Sequence, residues 1–181
     1  MARCVVRPAS PADIDRLQAI EDAADALFVD LAGSDAWPPA APGAERAAAA
    51  GFLLVAAPAD VRGTDAPGGH AVGFVHVLEV DGEAHLEQLS VLPTHGRSGH
   101  GRALVEAAKA EARARGFARL TLRTFADVPW NAPFYATCGF VETVPTTQFQ
   151  RRLVEVENRL GLARLGRRIL MEARLASPRR S

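Results

Sequence analysis

The chain has 181 residues, 48% of them hydrophobic and 23% charged, with 21 basic and 21 acidic side chains. That length and balance suit one well-buried globular domain and exclude a disordered chain, a collagen-like repeat and a disulfide-stapled miniature. The zero net charge hides a division: residues 1–94 carry 5 basic and 14 acidic groups, net −9, and residues 95–181 carry 16 and 7, net +9. The zero sum argues against a basic nucleic-acid binder, but one half should attract cations and the other anions if the fold keeps them apart.

Residues 4–7 form a short apolar strand. Ser10-Pro11-Ala12-Asp13 then reads as a helix start: Ser10 can cap, Pro11 suits the first turn, and Asp13 complements the positive helix end. Ile14, Leu17, Ile20 and Ala24 continue an apolar stripe at helical spacing. Residues 33–43 are a proline-rich loop, 44–50 a short helix, and 52–56 a buried strand. Residues 58–69 are turn-rich and predict a flexible surface loop. Residues 70–80 and 83–91 are strands joined by Asp81-Gly82, a strong hairpin signal. A glycine-rich loop at 93–99 opens a helix over 101–115, closed by Gly116. A strand at 119–124, a short helix at 131–138 and a strand at 140–144 follow. Residues 147–160 place Leu153, Val156 and Leu160 on one helical face. Residues 167–173 make the last strand. This order predicts an α/β domain over residues 1–176, a mixed sheet with helices on both faces, and a disordered basic tail at 177–181.

Cys4 and Cys138 stand apart and belong to no metal-ligand spacing, so no zinc or other metal site is expected. The first residues lack a leader-like apolar run and no stretch is long enough to span a bilayer. Both predict a cytoplasmic protein with reduced thiols and no membrane partner.

The segment Pro93-Thr94-His95-Gly96-Arg97-Ser98-Gly99-His100-Gly101-Arg102 joins a strand to a helix start. Free backbone N–H groups and the helix dipole make such a turn an anion site. Gly99 and Gly101 allow close approach of a pyrophosphate, and Arg97 and Arg102 add charge. The spacing is neither a Walker loop nor the dinucleotide fingerprint.

Leu89-Ser90-Val91-Leu92-Pro93 with this loop and Gly101-Arg102-Ala103-Leu104-Val105 resembles the acetyl-CoA signature of the GNAT superfamily of N-acetyltransferases. Gly99 and Gly101 fit its glycines, while Gly96 stands where Gln or Arg is usual. Asn131-Ala132-Pro133-Phe134-Tyr135-Ala136-Thr137-Cys138-Gly139-Phe140 is similar to a second motif of that superfamily, and Arg7-Pro8-Ala9 with Asp13 resembles its opening. The resemblance covers roughly residues 3–145. It implies a mixed, mostly antiparallel sheet of about six or seven strands, splayed between the fourth and fifth. It implies acetyl-CoA as co-substrate, held by Leu89, Ser90, Val91, the loop residues Gly96, Arg97, Ser98, Gly99, His100, Gly101 and Arg102, and by Thr124 and Asn131. It also implies direct acetyl transfer to an amine.

Such transfer needs a base for the ammonium, donors for the thioester oxygen and a proton for the leaving thiolate. With Asp81-Gly82 as a two-residue turn, Leu78 faces His85 and His76 faces Glu87, so His76, His85 and Glu87 should share one sheet face. Glu87 is favoured as base, with His85 as relay or alternative, and the resemblance assigns Tyr135 as general acid. His76, Phe28, Trp37 and Trp130 are candidates for walls of an acceptor pocket. Cys138 has no adjacent His and reads as a structural thiol. The acidic first half, bordering the acceptor side in the resembled fold, points toward a cationic amine, as a small molecule or peptide; a homodimer is compatible. Two other readings are a catalytically silent CoA-binding sensor of the same fold and a phosphate-loop nucleotide binder.

Overall fold

The computed structural model describes residues 4–32, 37–59 and 69–175. The predicted tail, most of the 58–69 loop and part of the proline-rich loop lie outside them. The element order is β1 (Cys4–Pro8), α1 (Pro11–Ala32), α2 (Gly43–Ala48), β2 (Gly51–Pro58), β3 (Gly73–Val80), β4 (Glu83–Val91), α3 (His100–Ala114), β5 (Arg119–Phe125), α4 (Ala132–Thr137), β6 (Val141–Thr143), α5 (Gln148–Arg159) and β7 (Arg168–Arg174). The seven strands form one sheet in the order β1-β2-β3-β4-β5-β7-β6. Every neighbouring pair is antiparallel except β4 and β5.

Local chemistry sets the element ends. At the start of α1, Asp13 accepts hydrogen bonds from the Ser10 amide and hydroxyl and from Arg7. Burial alone would raise the Asp13 carboxyl, but these donors hold it down at about 2. Thr147 caps α5 by accepting from the Gln150 amide. Asp81 and Gly82 both have positive φ, as a tight hairpin turn demands.

Period-2 alternation divides the sheet into two faces. One face, carrying Val75, Val77, Ala84, Leu86, Leu120 and Leu122, packs on Leu104, Val105 and Ala108 of α3 and on Tyr135 and Cys138 of α4. The opposite face packs Val55 and Phe74 on Leu17 and Ile20 of α1. α5 lies on that second face: Phe149 meets the His85 ring edge-on at 5.4 Å, and Glu157 binds Arg123 and Arg168.

Two departures from regular pairing build the site. β4 and β5 pair only over Ala84–Leu120, His85–Thr121 and Leu86–Leu122. Beyond Leu122, β5 pairs with β7 alone, so the two parallel strands part at Glu87. At the same point β4 carries a β-bulge: Val77 opposes Leu86, but His76 opposes Gln88. The predicted His76–Glu87 pairing is therefore corrected, because Glu87 is the extra residue of the bulge. The bulge leaves both Glu87 and Gln88 on the His85 side and returns Leu89 and Val91 to the α3 core.

Candidate active site

A cavity of about 880 Å³ runs from the turn before α3, along the parting of β4 and β5, to α1 and α5. Its first end is suited to an anion. Gly99, at φ 88°, is the N-cap of α3, and no side chain caps the helix. The first helical bond runs from the Ala103 amide to the Gly99 carbonyl, leaving the amides of His100, Gly101 and Arg102 ahead of it. A Cβ on Gly99 would meet nothing, so the left-handed backbone is what demands glycine there. Gly101 lies under Phe134, whose Cζ would stand 3.5 Å from an added Cβ. Arg97 is exposed and itself adopts φ 56°. Arg102 is half committed elsewhere: it donates to the carbonyl and hydroxyl of Thr137, tying α3 to the end of α4.

The other loop residues differ in what they offer. His95, Gly96, Arg97, Gly99, His100, Gly101 and Arg102 line the cavity, and Ser98 does not. Ser98 donates to the Gly96 carbonyl instead. His100 is buried, with Nδ1 3.1 Å from Cys4 Sγ. Leu89, Ser90, Val91, Thr124 and Asn131 all line the opening between the strands. Asn131 is the N-cap residue of α4, but its side chain makes no cap bond; its Oδ1 accepts from the Thr124 hydroxyl at 2.5 Å. Ser90 accepts from Gln88 Nε2.

At the parting of the strands, His85 and Glu87 come together, with Nε2 3.9 Å from Oε2. Thr121 Oγ1 donates to the Ala84 carbonyl, so it accepts from His85 Nδ1 at 2.9 Å. That network assigns the ring proton to Nδ1 and leaves Nε2 as an acceptor facing the Glu87 carboxylate. Burial, aided by Arg123, pushes the His85 pKa down to about 3, so the ring is neutral. Glu87 hydrogen-bonds to no side chain among the described residues, and its side chain is 41% exposed. Desolvation by the surrounding walls raises its pKa above the usual carboxylate value. Two acceptors facing one another at that spacing are built to share a donor.

Tyr135 reaches the same cavity from the opposite sheet face. Its ring packs edge-on against Phe134 and Phe140, at 5.2 and 5.8 Å. Burial raises its hydroxyl pKa, so the hydroxyl keeps its proton. Cys138 is buried and its thiol pKa is raised by that burial.

His76 does not line the cavity. Its ring is 3% exposed, with Nδ1 3.4 Å from Arg46 and Nε2 without a partner. Phe28, Trp37 and Trp130 do come together. Phe28 stacks on Trp37 at 4.4 Å, Trp130 meets Phe28 edge-on at 5.9 Å, and Phe125 closes the group.

Several cavity residues carried no signal in the sequence. Arg46 holds Glu21 through two bonds of 2.6 and 2.7 Å. Arg123 and Arg168 clamp Glu157 at 2.7 and 2.5 Å. These residues converge from α1, α2, β5, α5 and β7, and no local spacing links them. Leu153, Val156 and Leu160 were visible as a helical face, but not as a cavity wall. Among the described residues no cluster of His, Cys, Asp and Glu could hold a metal, and no helix is long and apolar enough to cross a membrane.

An anion site on one sheet face, joined through the parted strands to a carboxylate on the other, suits group transfer between a phosphate-bearing carrier and an acceptor. The chain belongs to the acetyltransferase (GNAT) family, whose model matches residues 18–140. Solved structures agree in fold. The ribosomal-protein-S18-alanine N-acetyltransferase from Escherichia coli is 22% identical, with a TM-score of 0.66 over 97% of this chain and 96% of that one. The PaiA N-acetyltransferase from Thermoplasma acidophilum, in complex with coenzyme A, is 14% identical, with a TM-score of 0.64 over 95% and 99%. N-acetylglutamate synthase from Neisseria gonorrhoeae, complexed with coenzyme A and N-acetyl-glutamate, is 16% identical, with a TM-score of 0.68 over 97% of this chain and 36% of that one. The family uses acetyl-CoA as co-substrate and acts on amine acceptors.

Proposed function

We propose that the protein is an N-acetyltransferase that moves an acetyl group from acetyl-CoA to a primary amine by direct attack in a ternary complex. The observation that carries this reading is the continuity of the cavity through the sheet, from the uncapped start of α3 to Glu87 and His85.

The α3 amides and Arg97 bind the pyrophosphate, and the pantetheine arm lies in the parting between β4 and β5. There the β4 backbone groups directed away from β3 have no strand partner and can bond its amides. Leu89, Val91 and Thr124 flank the arm. The thioester then sits between the two faces. The ammonium enters from the α1 and α5 side, donates to His85 Nε2 and Glu87, and loses a proton to Glu87. Its lone pair attacks the thioester carbon, and collapse of the tetrahedral intermediate breaks the C–S bond. Tyr135, on the other face, gives its proton to the departing thiolate and is restored by the second proton, which the nitrogen sheds as the amide forms. Proton removal and proton delivery thus come from opposite faces, which only a parted sheet allows.

The test is release of free thiol from acetyl-CoA over a panel of amines, with mass detection of the acetylated product. Product formation supports the reading. Tight CoA binding with no thiol release on any amine overturns it in favour of a silent binding domain.

A further inference from the structure

The cavity's acceptor side has a charge pattern at odds with a polycationic substrate. Four carboxylates line the cavity: Glu21, Asp25, Glu87 and Glu157. Three are occupied. Glu21 is held by Arg46, Asp25 accepts from Trp37 Nε1 at 2.9 Å, and Glu157 is clamped by Arg123 and Arg168. Only Glu87 is both exposed and without a side-chain hydrogen bond among the described residues, and Arg123 and Arg168 together carry one positive charge more than the Glu157 they clamp.

The same side is rich in exposed apolar surface. Among the described residues seven large hydrophobic side chains stand out as exposed, and four of them, Leu27, Trp130, Val156 and Leu160, line this one cavity. Their exposures are 44, 43, 40 and 54%. Behind them lies the stacked Phe28–Trp37 pair with Phe125. Such a concentration marks a surface that binds something apolar. It sits on α1, on the segment before α2, on the connection between β5 and α4 and on α5 and its C-cap. The uncapped start of α3 lies at the other end.

Resting on the acetyl-transfer reading, we infer that the acceptor is a small primary amine on an apolar or aromatic body, with no second cationic centre. Glu87 and His85 take its single ammonium. The Phe28–Trp37–Trp130 wall and the α5 rim take its body. A second cation on the acceptor would lie against arginines or against carboxylates that already have partners, and its desolvation would go uncompensated.

Thiol release is measured with 2-phenylethylamine and hexylamine against spermidine, lysine and a short peptide with an apolar N-terminal residue. Values of kcat/KM for the two monoamines are expected to exceed those for spermidine and lysine by roughly tenfold or more, the discrimination that a few apolar contacts supply. Trp130→Ala, at an exposed position that does not threaten folding, should raise KM for 2-phenylethylamine several-fold while leaving kcat within about twofold. Leu160→Asp, also exposed, should shift preference toward spermidine. Higher kcat/KM with spermidine, lysine or the peptide than with both monoamines overturns this inference and leaves the acetyltransferase reading standing. Absence of thiol release from every amine overturns that reading itself.

Discussion

Replacing Glu87 by Gln isolates the base from everything else in the site. The carboxylate accepts no hydrogen bond from another side chain among the described residues, so the near-isosteric amide breaks no contact in the fold. The effect on rate follows from the protons. An alkylamine with a pKa near 10 is neutral in only about one molecule in 10³ at pH 7. Without a base the enzyme depends on that fraction, so kcat/KM should fall about 10²- to 10³-fold at pH 7, within the usual range for losing a general base. The deficit should shrink about tenfold for each unit of pH gained toward the amine's own pKa. In the unaltered protein the acid limb of the kcat/KM profile should lie above 4.5, because burial raises Glu87 from that value. His85 cannot supply that limb, since its pKa is pushed down to about 3. The stability effect has the opposite sign. A carboxyl whose pKa is raised on folding binds its proton more tightly in the folded state. Its ionisation therefore erodes stability as pH rises through the window just above 4.5. Glu87→Gln removes that erosion, and its Tm at pH 7 should equal or exceed the parent's. The assays are initial-rate thiol release from pH 5 to 9.5, CoA affinity by calorimetry, and thermal melts. Activity within threefold of the parent at pH 7, with the acid limb unmoved, would refute the assignment.

Three further outcomes are expected. Tyr135→Phe should lower kcat by about 10- to 100-fold with CoA affinity unchanged, and the parent's profile should show no basic limb from this hydroxyl below pH 10, because burial raises its pKa. Gly99→Ala puts a side chain at φ 88° in open space, so its cost is backbone strain of about 1 kcal/mol and weaker CoA binding, read by melts and calorimetry. Glu157→Gln leaves Arg123 and Arg168, whose side chains are 8 and 15% exposed, without their anion; it should cost about 3 kcal/mol in denaturant unfolding.

How much of this was legible depended on how local the determinants are. The hairpin at Asp81-Gly82, the glycine turn before α3 and the Asn131-to-Phe140 motif each sit within a dozen residues, and each led to its element. The β4 range, residues 83–91, is predicted as observed, and no other predicted strand boundary shifts by more than three residues. The pairing of His76 with Glu87 failed because alternation presumes an unbroken ladder. A bulge arises where β4 stops pairing with β5, and that event is written in the contacts of strands whose paired residues are 36 positions apart. His76 accordingly went to Arg46 rather than to the cavity. The clamp on Glu157 is illegible for the same reason: Arg168 joins Arg123 only because β7 inserts between β5 and β6.

The −9/+9 division shows what such insertion does to a linear charge pattern. Residues 1–94 bring Glu21, Asp25 and Glu87 to the cavity, but also Arg46, which neutralises the first of these. Residues 95–181 bring Arg97 and Arg102 to the anion site, yet send Arg123 and Arg168 to the acceptor side with Glu157. The basic excess thus serves both ends, and the buried acids of α1, Asp13, Glu21 and Asp25, each have an internal partner, with burial pushing the Glu21 pKa up to about 7. An acceptor entering from this side finds one free carboxylate at the end of an aromatic passage. The acceptor inferred above is then selected by the fit of an apolar body behind a single ammonium, and not by attraction of an acidic surface for a polycation.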